Sequence, residues 1–92
     1  MSTVTGVSRE EIDAVLREAL SPSELEVTDD SHLHAGHAGA REGRHFSVRI
    51  VSERFAGSPR LARHRLVYHA LAQLIPKGIH ALAIDARAPH EV

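Results

Sequence analysis

Eight of the 92 residues are histidine, and His32, His34, His37 and His45 crowd into one stretch. Neutral imidazole is a ligand suited to Zn, Cu, Fe and Ni, so the pattern His-x-His-x-x-His over His32, His34 and His37 is a set of candidate metal donors. The chain has no cysteine, which removes disulfides, thiol chemistry and every all-thiolate zinc or iron–sulfur site that it could build alone. A metal held here is held by nitrogen and oxygen. At the level of residue types two plainer readings stay open: a solvated loop that picks up Zn, Ni or Cu adventitiously, and, for His80, a partly buried, hydrogen-bonded histidine at a strand end. No P-loop, G-x-S-x-G or Rossmann glycine pattern is present. Asp29, Asp30 and Ser31 lack the context for nucleophilic catalysis, and the expectation is a non-catalytic protein.

The elements that must position these side chains follow from periodicity. Ser8 with Glu11 forms a capping box, Val7 can pack on Ile12 as a hydrophobic staple, and Ile12, Val15, Leu16, Ala19 and Leu20 make one apolar stripe. This predicts a helix from Val7 to Leu20, stopped by Pro22. Leu25 and Val27 alternate with polar neighbours, as do Phe46, Val48 and Ile50, which predicts two strands. Between them the segment Asp29 to Arg44 is far longer than the roughly 2–5 residues of an ordinary hairpin loop, so it reads as functional or disordered. After a turn at Phe55-Ala56-Gly57, Ser58-Pro59 reads as an N-cap followed by proline at the first helical position. Leu66, Val67, Ala70, Leu71 and Leu74 then support a helix ending near Pro76, with Arg63-His64-Arg65 marking a break into a short and a longer piece. Leu82 and Ile84 give a third strand before a tail from Pro89. The division expected is a tail over 1–7, one α+β domain over 8–88 and a tail over 89–92.

That order brings distant histidines together. Consecutive strands one and two should pair antiparallel, whereas a helical crossover should make strands two and three parallel in a mixed three-stranded sheet with the helices on one face. Strands two and three then start at the same edge, where the long loop also ends. His80 is therefore expected at the same end of the domain as His45 and the loop histidines. Strict alternation puts His80 in phase with Leu82 and Ile84, pointing inward, and puts His45 on the opposite, open face. On that reading His45 ranks below the others as a ligand, His64 suits packing or partner docking, and Phe46, Phe55 and Tyr68 belong to the core.

Net charge is −1, but residues 1–30 carry −6 and residues 41–65 carry +5, which suggests a polarised surface. No signal segment or membrane span is visible in the sequence, and a cytoplasmic protein is the expectation.

Several separated motifs carry a likeness: Leu25-Glu26-Val27, Ser31-x-x-His34, His45-Phe46, Val51-Ser52-x-x-Phe55-x-Gly57, Arg63-His64-Arg65 and His80-Ala81-Leu82-Ala83. From about Leu25 to the C-terminal tail the sequence resembles the BolA-like family. The resemblance implies an αββααβ fold similar to a type II KH domain. It also implies a heterodimer with a monothiol glutaredoxin around a bridging 2Fe–2S cluster, with glutathione and the glutaredoxin cysteine on one iron. In that family the other iron is held by a His or Cys of the loop between strands one and two and by the His of the H-A-L motif. The matching positions are His34, by its spacing from Ser31, or His37, because the loop here is longer than the simplest family form, together with His80. Two imidazoles opposite two thiolates raise the reduction potential of such a cluster. Because only neutral imidazole binds metal, acid near the ordinary histidine pKa of about 6.5 should weaken the complex.

The second reading is a nucleic-acid-binding transcriptional regulator, which a KH-like fold and the basic middle segment permit. A KH domain clamps backbone through a GXXG loop, and the matching turn, Gly57-Ser58-Pro59-Arg60, lacks the second glycine. Binding to DNA would then rest on Arg60, Arg63 and Arg65 through phosphate contacts and would be steeply salt-dependent. A homodimer in the absence of a partner is compatible with either reading.

Overall fold

The structure, a computed structural model, describes residues 7–30 and 44–92. His32, His34 and His37 lie outside the described residues. Helix α1 spans Arg9–Leu20 and opens with the predicted capping box: the Glu11 N–H donates to Ser8 Oγ at 3.1 Å, and the Ser8 N–H donates to Glu11 Oε1 at 2.9 Å. Val7, Ile12, Leu16 and Leu20 all join the core, so the staple and stripe are both formed. The helix stops one residue before Pro22, at Ser21, which caps it in the left-handed conformation with φ 46° and ψ 55°.

Strands β1 (Glu24–Asp29) and β2 (Arg44–Val51) pair antiparallel, and β2 pairs parallel with β3 (Ile79–Arg87), giving the order β1-β2-β3. Helices α1 and α2 pack against one face of this sheet and against each other. Phe46, Val48 and Ile50 on β2 and Val27 on β1 are buried against them, with Leu25, Leu82, Ile84 and Ala86 partly buried around that core. The opposite face is uncovered, and Glu26, Thr28, Arg49, Ala83 and Asp85 are exposed on it. The α+β domain with a mixed three-stranded sheet, expected from pattern alone, is the one observed.

The helical crossover differs from expectation in where it breaks. Helix α2 runs unbroken through Arg63-His64-Arg65 as Arg60–Ala70, and the chain turns at Leu71 to Leu74 before the short helix α3, Ile75–Gly78. Pro76 lies in the first turn of α3, where a missing N–H costs nothing, so it starts a helix and does not end one. Pro59 is the N-cap of α2, one residue earlier in role than predicted. The segment from Pro89 is a 3-10 turn, Pro89–Glu91, fastened to α2. Tyr68, expected in the core, is 42% exposed, and its hydroxyl reaches over the edge of β3 to the Leu82 carbonyl at 3.4 Å. No helix among the described residues is long and apolar enough to cross a membrane.

Candidate functional site

The start of β3 is irregular, and the irregularity decides where its histidine goes. Arg44 pairs with Ile79, but His45 pairs with Ala81, so the register shifts by one residue and β3 carries His80 as an extra residue opposite the partner strand. Such a bulge reverses the alternation of side chains beyond it. Ile79, before the bulge, is buried at 7% exposure, and Leu82, three positions on, also faces the core; a regular strand cannot send both inward.

His80 is consequently exposed, not inward-pointing as strict alternation requires. It lies beside half-buried His45, with ring centroids 5.2 Å apart and planes inclined by 37°. The bulge removes the separation that strict alternation set between these two residues and leaves their rings side by side. The adjacent pair Ile79-His80, an apolar residue with strong claim to the core directly before one with none, was the signal available in the sequence.

The long-range placement of His80 beside His45 stands, while the loop histidines that it also included lie outside the described residues. His80 in β3 and His45 in β2 share the rim at which β2 begins. Asp30, the last described residue before 31–43, is tied to the same rim: its N–H donates to the His45 carbonyl at 2.7 Å. Its carboxylate also accepts a short hydrogen bond from the Ser47 hydroxyl. Among the described residues no group of three or more His, Asp or Glu is arranged to hold a metal ion; they supply a pair of imidazoles.

The arginine trio divides. Arg63 is engaged within the chain: Nε donates to the Ser58 carbonyl at 2.8 Å, and one terminal nitrogen donates to the Ala86 carbonyl at 3.1 Å. The two terminal nitrogens grip the Glu91 carboxylate at 2.6 and 2.8 Å. That guanidinium, helped by the Ala88 N–H, pulls the Glu91 pKa down to about 2. Arg60 and Arg65 are exposed. Arg60, Arg63, His64 and Arg87 line an open groove of about 750 Å³ between α2 and the end of β3. Asp85 meets Arg87 there at 2.9 Å.

The sequence pattern of BolA-like proteins matches residues 16–91. The chain is 45% identical over 80 residues to "Protein BOLA1, chloroplastic" of Arabidopsis thaliana, covering 83% of this chain and 50% of that protein, so it spans half of that relative's length. It is 45% identical over 76 residues to "DNA-binding transcriptional regulator BolA" of Escherichia coli strain K12, covering 83% of this chain and 70% of the relative. Among solved structures, the BolA domain of SufE1 from Arabidopsis thaliana superposes with a TM-score of 0.82 at 45% identity, covering 97% of this chain and 100% of that one.

Proposed function

The chain belongs to the BolA-like family, and from that premise we propose that it is a non-catalytic adaptor which docks a monothiol glutaredoxin and supplies imidazole ligands to a bridging 2Fe–2S cluster. The observation that carries the reading is the exposed His80 at the bulge, on the rim where the segment holding His34 and His37 rejoins the sheet. The donor set fits the group. A chain without cysteine can offer an iron only nitrogen or oxygen, and the thiolates that complete the centre come from the partner's cysteine and glutathione. His80 with His34, or with His37, would hold the outer iron; once bound, the cluster supplies one-electron chemistry at a potential above that of an all-cysteine centre. What this chain does is present the His80 imidazole at a strand end, exposed to a second protein.

Reconstitution with a monothiol glutaredoxin, iron, sulfide and glutathione tests this. His80→Ala should abolish the visible absorption and dichroism of the heterodimer's cluster, and one of His34→Ala and His37→Ala should do the same. Spectra unchanged in His80→Ala and in the double loop variant would exclude histidine ligation by this chain.

A second reading draws on the Escherichia coli relative, whose name describes a DNA-binding transcriptional regulator, and on exposed Arg60 and Arg65 beside the basic groove. Phosphate contacts by these two residues would give a log–log salt slope of roughly −0.9 per contact on duplex DNA. Arg60→Ala and Arg65→Ala should each flatten that slope, and the absence of any salt-dependent binding removes the reading.

A further inference from the structure

His45 has no task in the cluster reading, yet its ring stands 5.2 Å from that of His80. We propose that His45 and His80 together form a two-imidazole site for one divalent transition ion, with Zn²⁺ as the reference cation, in the chain without any partner. The site shares His80 with the cluster reading but does not depend on it. A zinc ion sits about 2.0–2.1 Å from a ligating imidazole nitrogen, so two rings tetrahedrally disposed on one ion have centroids about 5 Å apart. The observed separation matches that spacing.

The fold makes the pair. Without the bulge His80 would follow Leu82 and Ile84 toward the helices, and the two rings would lie on opposite sides of the sheet. With it, both are on neighbouring hydrogen-bonded strands, whose ladder fixes the two backbones relative to each other before an ion arrives. His80 is exposed, so the ion has a path in. Imidazole suits zinc, copper and nickel alike. Because the described residues supply no third His, Asp or Glu in place, the remaining coordination positions go to water or to a donor brought by another molecule. An ion on the His80 nitrogen also denies that lone pair to iron.

Zn²⁺ titrated into the full apo chain, without glutaredoxin, tests the site by calorimetry and by long-range ¹H–¹⁵N spectra of the imidazoles. The ring nitrogens of His45 and His80 should shift together, saturating at one ion per chain. His45→Gln and His80→Gln should each weaken binding by more than the roughly 10–100-fold that a change outside the ligand shell costs. The double variant His34→Ala/His37→Ala should retain the shift at both rings. A response confined to the imidazoles of His32, His34 and His37, or zinc binding unaffected by His45→Gln, overturns the proposal. Cluster reconstitution on the same variants separates the two readings. His45→Gln that assembles a cluster but has lost zinc supports the pair, whereas His80→Gln that loses the cluster but keeps zinc refutes the pair and leaves the adaptor role standing.

Discussion

Ser52 is 1% exposed and joins three parts of the fold. Its hydroxyl donates to the Leu20 carbonyl at the end of α1 at 2.7 Å and accepts from the Arg54 N–H at 3.1 Å. Its own N–H donates to the Arg87 carbonyl of β3 at 2.9 Å. Removing the hydroxyl leaves a carbonyl without its partner where water has little access, so Ser52→Ala should cost about 1–3 kcal/mol in urea unfolding. A loss below a few tenths would show that water replaces the hydroxyl. Gly57 is required for a different reason. A Cβ there meets nothing within 4 Å, but φ is +75°, so the constraint is backbone conformation and not space. Gly57→Ala should therefore cost about 1–2 kcal/mol, the left-handed penalty of an L-residue, with no change in the m-value because no packing is disturbed. Both residues were visible in the motif Val51-Ser52-x-x-Phe55-x-Gly57, though the sequence names neither the carbonyl nor the φ angle that makes them necessary.

Local code and tertiary structure meet at the element boundaries. The capping box of α1 and the apolar stripe behind it are short-range features, and they form as read. At the other end Ser21 takes a left-handed cap that glycine usually supplies. Ser21→Gly should relieve that strain, less the entropy glycine loses on folding, for a net gain of about 0.5–1 kcal/mol, or a few degrees of Tm in a domain this small. A Tm equal to or below that of the parent chain would show that Ser21 holds its conformation without strain. The bulge in β3 belongs to the same scale. It satisfies Ile79, which needs burial, and Leu82, which needs it too, by spending one residue, and that residue is His80. Burial of the Ile79 side chain stabilises by about 1.5–3 kcal/mol, which is enough to dictate the register of a polar neighbour.

Across the whole molecule, the bidentate Arg63–Glu91 contact clasps the start of α2 to the C-terminal turn and, through the Ala86 carbonyl, to β3. Glu91 is more acidic folded, at about 2, than at the ordinary value of 4.5. Its contribution to stability is therefore fully present above about pH 4.5 and is lost as pH falls toward 2. Thermal midpoints measured down this range should decline in the parent chain and decline less in Glu91→Gln, which should also start lower at neutral pH. Parallel curves for the two proteins would show that other carboxylates govern acid unfolding. The same clasp engages Arg63 within the chain, and Asp85 pairs with Arg87, so the positive charge that the groove offers a ligand rests on Arg60.

Periodicity, caps and the order of elements were enough to specify an α+β domain with a mixed sheet and to send His80 to the rim where β2 begins, because alternation and crossover geometry are properties of short segments and of connectivity. The same residues misplaced the crossover's break, since proline reads alike at the end of one helix and in the first turn of the next. They also turned His80 to the wrong face, since alternation carries no sign of a bulge that arises only when Ile79 and Leu82 compete for one core. The pairing of His45 with His80 was decided there, by packing between strands that the chain itself separates by a helical crossover.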